Sequence, residues 1–212
     1  MDKTVATKNV DSSAGAQRDG GSLYAPDGRR KYLNGDERRC ALAAMAKLDP
    51  AKALFAQTLA WSGARVSEVL ALTPSSFQIE RGVVAIVTLK RRRHVVREVP
   101  LPRTLVAAIE LHFGICAAQT DAASCERRLW GWHRTTAWRL IKEVMRQGGV
   151  AGRRASPRGF RHGFGVGALQ ARVPLNLVQR WLGHARMSTT AIYADASGPE
   201  EQSFAKLFWR LE

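Results

Sequence analysis

Acidic residues are scarce in this chain: 18 Asp and Glu stand against 33 Lys and Arg, a formal net charge of +15. A field of that sign attracts polyanions, of which nucleic acid is the commonest for a soluble chain, although a ribosome-associated basic protein would carry the same balance. Cysteine is scarcer still. Cys40, Cys116 and Cys125 form an odd set without CxxC spacing, which argues against a disulfide framework and against a zinc knuckle. No apolar run approaches the length of a bilayer span and the N-terminus lacks the apolar core of a signal peptide, so no membrane association is expected. The expected location is the cytosol, with nucleoid or plasmid DNA within reach in a bacterial host. Low-complexity bulk is missing too, and 212 residues at 45% hydrophobic suffice for one domain with its own core and a tail.

Residues 1–31 are rich in Gly, Ser, Asp and Ala with few large apolar side chains, which predicts a flexible basic arm. Order is expected from Tyr32. Asn34 and Glu37 have capping-box spacing ahead of Cys40, Leu42, Met45 and Leu48, predicting a first helix. Asp49-Pro50 opens a second, in which Leu54, Phe55, Thr58, Leu59 and Trp61 share one broad buried face before Ser62-Gly63. The segment SGARVSEVLALTP is a third, with Val66, Val69, Leu70 and Leu72 inward and Arg65 at its start. Arg65 there has two readings: an anion clamp beside free backbone N–H groups, or a surface partner of Glu68.

The β-branched runs 83–89 and 95–101 flank Lys90-Arg91-Arg92-Arg93-His94, which predicts a β-hairpin with a basic tip, Phe77 to Ile79 adding a third strand. Five basic-type residues on such a tip favour phosphate contact over simple solvation. Leu105, Ile109 and Leu111 suggest a further helix, and residues 114–124 show no clear pattern. Thr135-Thr136 is the expected cap of a helix carrying Trp138, Ile141, Val144 and Met145. The tryptophans at 130, 132 and 138 are expected in the core, because no basic residues interleave with them in the manner of a base-stacking platform.

The densest chemistry lies in Ser156 to Asp195, SPRGFRHGFGVGALQARVPLNLVQRWLGHARMSTTAIYAD. Arg158 and Arg161, three apart, project from one helix face, with Phe164, Val166 and Leu169 suited to the core. Pro174 opens a helix that Gly183 ends, His184 follows at once, and Tyr193 comes after a Ser188-Thr189-Thr190 cap. Two arginines clamp a phosphate bidentately and neutralise charge on its oxygens, and a histidine donates to the same centre. The nucleophile in such a set is the tyrosine: its hydroxyl ordinarily titrates near ~10, and a cationic pocket favours phenolate.

On these residues the chain resembles the tyrosine recombinase (lambda integrase) family. The run RGFRHGF…LVQRWLGHARMSTTAIY looks like its signature, SGARVSEVLAL like its first arginine box and TLKRRRHVVREVPLP like its β-hairpin lysine. The resemblance spans about Tyr32 to Tyr193. It implies a mixed α+β, mainly α-helical catalytic domain over residues 32–196 with a small antiparallel sheet. It also implies Arg65 and Arg161 as catalytic arginines, Lys90 as hairpin general acid, His184 as the LGH histidine and Tyr193 as nucleophile, with Arg91, Arg92, Arg93 and His94 beside Lys90 as DNA contacts. Neither metal nor nucleotide cofactor is implied, because a phosphotyrosine conserves bond energy and cationic side chains supply the electrostatics.

Two departures stand out. Where the family has a histidine three residues before its second arginine, this chain has Arg158, which can bind phosphate but cannot accept a proton. The helical core-binding domain that commonly precedes the catalytic domain has no counterpart ahead of Tyr32, as in the compact fimbrial invertases, so a smaller DNA footprint or help from accessory proteins is expected. Residues 197–212 predict an amphipathic helix with Phe204, Leu207, Phe208 and Leu211 on one face, folded onto its own domain or exchanged between protomers of a tetramer on DNA. The expected activity is site-specific recombination of double-stranded DNA, of integrase, invertase or resolvase type, through a 3′-phosphotyrosyl link. The alternatives are a DNA-binding regulator impaired in turnover and a type IB topoisomerase-like strand cleavage.

Overall fold

The computed structural model describes residues 22–88, 95–195 and 199–209. Lys90, Arg91, Arg92, Arg93 and His94, together with the first 21 residues of the expected arm, lie outside them.

Local chemistry sets most of the helix ends. Helix α1 (Gly35–Met45) starts on the expected capping box: the Asn34 side chain accepts from the Glu37 N–H at 2.9 Å, and Glu37 accepts from the Asn34 N–H at 3.1 Å. Helix α2 (Pro50–Ser62) has proline at its first position and ends on Gly63 in the left-handed region, φ 61°. It buries Leu54, Phe55 and Leu59, but Trp61 is 37% exposed and lies under the Arg38 guanidinium, 4.6 Å from the ring centre. The face expected to bury it is narrower than the spacing suggested, and a cation covers the ring instead of the core.

Short α3 (Val66–Val69) leads to the three-stranded antiparallel sheet β1 (Phe77–Gln78), β2 (Val83–Val87) and β3 (Val96–Pro100), in that spatial order. Val84 pairs with Val99 and Ile86 with Arg97, so Val84, Ile86 and Val99 face the core. The stem closes where the Thr88 N–H donates to the Val95 carbonyl at 2.9 Å.

Helix α4 (Arg103–Phe113) buries Leu105 and Ile109 and leaves Leu111, expected inside, 89% exposed. Residues 114–124, unassigned from pattern, hold the one-turn helices α5 (Ile115–Ala118) and α6 (Ala122–Cys125). Helix α7 (Arg134–Gln147) is capped two residues earlier than expected: His133, rather than Thr135, is the cap, its ring accepting from the Thr135 N–H. Ile141, Val144 and Met145 are fully buried, whereas Trp138 is 47% exposed and corrects the core expectation. Trp130 fulfils it, edge-on to Phe55 and Phe113 with ring centres 5.4 Å apart and its indole N–H on the Ala51 carbonyl.

Helix α8 (Pro157–Gln170) is capped by Ser156 and packs against α2; α9 (Leu175–Leu182) ends at Gly183 in the left-handed region, and α10 (Ser188–Ala191) runs into a 3₁₀ turn over Ile192–Asp195. Helix α11 (Pro199–Trp209) lies against α8 of its own chain, with Phe208 and Trp209 exposed. Order begins ahead of Tyr32. Leu23 and Ala25 are buried, Tyr24 bridges to Arg30, and Leu23 joins Tyr32, Val166, Val178, Leu182 and Tyr193 in a second apolar cluster. This stretch packs as an irregular loop, so it has no period to read. No helix of the described residues is long and apolar enough to cross a membrane.

Candidate active site

A cavity of about 620 Å³ opens between α3, α7, α8 and the 184–193 segment, and Arg65, Arg158, Arg161, His184 and Tyr193 all line it. The structure therefore brings together every candidate catalytic residue among the described ones. Lys90 lies outside them, but its hairpin stem is fastened to the site. Buried Arg97 of β3 donates to the Trp181 carbonyl at the end of α9 (2.7 Å), to the Thr88 hydroxyl (2.9 Å) and to Glu68 of α3 (2.6 Å).

Glu68 is the hub. Only 1% exposed, it also accepts from the Arg65 backbone N–H at 2.9 Å and from the Arg65 guanidinium at 2.7 Å. Burial alone would raise its pKa, but Arg97, the Arg65 N–H and the Arg65 charge outweigh that and hold it below the usual carboxylate range. Arg65 thus pairs with Glu68, through a buried carboxylate rather than at the surface, and it also lines the cavity. Arg97 had no signal in sequence beyond an alternating strand.

Arg161, 8% exposed, is braced by two carbonyls, Gly63 at 2.7 Å and Leu182 at 2.6 Å, so its remaining N–H groups have a fixed direction. Burial and then the Arg65 charge bring it down to about 10, still protonated at neutral pH. Gly63 allows this approach because a side chain there would meet Phe164 at 2.6 Å and the backbone is left-handed.

His184 follows α9 directly. Its Nδ1 is 2.9 Å from the Thr190 hydroxyl and its ring lies nearly parallel to Tyr193, centres 6.1 Å apart. Burial first, then Arg161 and Arg65, push it down to about 3, so it is neutral.

Tyr193 is 1% exposed, its ring against Gly165, where a Cβ would stand 2.6 Å from Cε2 and Cζ. The expectation that the cationic pocket favours phenolate is reversed in the free protein. Burial raises the hydroxyl above its ordinary value, and Arg161, Arg158 and Arg65 offset this only in part. Three residues of the site were not picked out as such from sequence. Arg134 and the exposed Trp138 of α7 form one wall of the cavity, and His162, next to Arg161, contacts the Tyr193 ring at 5.9 Å between centres. Position 162, one turn after Arg158, was the available signal for the last.

Comparison with known proteins agrees with this geometry. The chain is 33% identical to tyrosine recombinase XerD of Yersinia pestis over 138 residues, 62% of this chain and 45% of that protein. It is 28% identical to tyrosine recombinase XerA of Thermococcus kodakarensis over 187 residues, 85% of this chain and 64% of that one. The chain thus spans roughly half to two thirds of the length of these curated relatives. Among solved structures, XerA recombinase superposes with a TM-score of 0.69 at 21% identity, covering 84% of this chain and 64% of that one. XerH recombinase bound to its difH substrate before cleavage superposes with a TM-score of 0.66 at 19% identity, covering 88% of this chain and 59% of that one. At these identities the superpositions speak for the fold, the recombinase catalytic domain. Residues 31–199 match the sequence profile of the Phage integrase family, and with that match over most of its length the chain belongs to this family, the tyrosine recombinases.

Proposed function

We propose that this chain is a site-specific DNA recombinase, cutting and rejoining duplex DNA through a 3′-phosphotyrosyl intermediate at Tyr193. The observation that carries the reading is the convergence of Arg65, Arg158, Arg161, His184 and Tyr193, from three separate segments, on one cavity. The net charge of +15 supports a polyanionic partner, as does the fold shared with XerH on its difH substrate.

Arg65, steadied by Glu68, and Arg161, braced by two carbonyls, take the non-bridging oxygens of the scissile phosphate and stabilise the charge that grows on them. Neutral His184 adds a hydrogen bond to the same centre. The Tyr193 oxygen bonds to phosphorus as the bond to the 5′-oxygen breaks, and Lys90 hands that oxygen a proton. A 5′-hydroxyl from a second strand then reverses the step, restoring a phosphodiester and the free tyrosine. Tyr193 leaves its apolar cluster to do this, and the incoming phosphate lowers the cost by pairing the arginines. Strand exchange needs several protomers on DNA, and α11, with Phe208 and Trp209 exposed, is the element offered to a neighbour.

The test incubates the protein and Tyr193→Phe with nicked half-site duplexes and resolves adducts under denaturing conditions. A Tyr193-dependent adduct together with exchanged strands is the expected result. An adduct with relaxation but no exchange makes the chain a topoisomerase, and binding without an adduct makes it a regulator.

A further inference from the structure

Tyrosine attack releases a proton, and position 158 offers only a guanidinium to receive it. We infer that His162 is the proton acceptor for the Tyr193 hydroxyl in this chain, and that Arg158 covers its accepting nitrogen until a phosphate draws the arginine away. The inference rests on Tyr193 being the nucleophile.

Four observations carry it. His162 lines the same cavity as Tyr193, and the two rings are in contact, their centres 5.9 Å apart and their planes at 58°. One helical turn separates positions 158 and 162 of α8, and the Arg158 Nε donates to the His162 Nε2 at 3.1 Å. An imidazole that accepts from a guanidinium carries its own proton on Nδ1 and is neutral, so the Nε2 lone pair is unprotonated and engaged by Arg158 until the arginine moves. That Nδ1 is buried without a hydrogen-bond partner among the described residues. A buried N–H left unpaired is destabilising, so packing alone favours an apolar residue here, whereas an acceptor at Nε2 requires the imidazole. Finally, Arg158 is exposed while His162 is only 6% exposed, so the arginine can turn to a phosphate without disturbing the ring behind it.

The groups facing His162 are Arg158 and Arg161 from its own helix, Lys31 from the loop before α1, and His184 and Tyr193 from the segment after α9. Burial and then the charges of Arg158, Arg161 and Lys31 push it down to about 4 in the free protein, keeping it unprotonated but a weak base. A phosphodiester among the arginines cancels part of that repulsion and makes the imidazole a better base at the moment it is needed. In the step itself the Tyr193 oxygen–phosphorus bond forms, the phosphorus–O5′ bond breaks, the tyrosine proton goes to the His162 Nε2, and the 5′-oxygen takes a proton from Lys90. Rejoining returns both protons.

Wild-type protein is first used to capture its own substrates from a pool of nicked duplexes with randomised flanks; no adduct from that pool overturns the Tyr193 reading and the inference with it. Single-turnover cleavage of captured duplexes is then followed against pH for wild type and His162→Gln, each with Tyr193 or with a fluorinated, more acidic tyrosine at 193. Loss of a proton acceptor predicts a fall of about 10²-fold or more with natural tyrosine, a flattened acidic limb, and a gap that narrows by at least about tenfold with the fluorinated residue. Cleavage within about threefold of wild type, or an equal loss with both nucleophiles, refutes the acceptor role, because a merely structural defect ignores the acidity of the phenol. Should His162→Gln fail to fold, ¹⁵N histidine spectra of wild type decide: a neutral, Nδ1-protonated His162 whose Nε2 signal shifts on adding inorganic phosphate supports the inference. A ring protonated at Nε2 at neutral pH, or one indifferent to phosphate, overturns it.

Discussion

Acidification from pH 7 to pH 5 tests the electrostatics of the site without any DNA. His162 titrates near its ordinary 6.5 when unfolded and is pushed down to about 4 when folded, by burial and by Arg158, Arg161 and Lys31. The folded protein therefore binds fewer protons than the unfolded chain between those values. Stability is complete above 6.5 and falls as the pH drops toward 4. The difference in proton binding between pH 7 and pH 5 corresponds to about 2 kcal/mol for this one side chain. His184 is shifted the same way, so it adds to the loss in the same direction and is common to both proteins. Against a domain stability of roughly 5–15 kcal/mol this is a measurable fraction. The assay is urea unfolding of wild type and His162→Gln at both pH values, so that carboxylates common to both proteins cancel. The variant should lose about 2 kcal/mol less than wild type on acidification. Equal losses within about 0.5 kcal/mol would refute the reasoning, because that is the agreement expected of unlinked sites. Inorganic phosphate, by pairing the arginines, should shrink the difference.

Two further predictions concern positioning. Glu68→Ala removes the carboxylate that Arg97 and Arg65 share and leaves the Arg97 guanidinium, with only 2% of its side chain exposed, without its ion partner. The expected cost is about 3–5 kcal/mol in urea titration, and a loss below about 1 kcal/mol would show that the pair is not buried as described. Gly165→Ala puts a methyl 2.6 Å from the Tyr193 ring. Stability should fall by about 1–3 kcal/mol, and adduct formation should drop sharply even at a temperature where the variant stays folded; an unchanged adduct rate would mean that the ring position does not matter.

The sequence by itself determined the capping box of α1, because Asn34 and Glu37 act within one turn, whereas the caps of α7 and α10 fell on His133 and Met187 rather than on the Ser and Thr residues expected to supply them. It also determined the hairpin strands, whose alternation matches the side-chain period, and the cavity set Arg65, Arg161, His184 and Tyr193, each announced by its own short motif. Only the tertiary structure decided what surrounds them. Arg97 meets the Trp181 carbonyl across 84 positions of chain, and Arg161 reaches Gly63 across 98, distances over which no periodicity carries information. The same holds for Leu23, whose place in the cluster around Tyr193 depends on an irregular loop. Trp61, Leu111 and Trp138 fit a helical stripe and still face outward, since a stripe fixes a direction on the helix but not what stands opposite. The acidity of Tyr193 is the sharpest case. Its cationic neighbours were legible and its burial was not, and burial prevails, because desolvating a phenolate costs more than three partly offset arginines return.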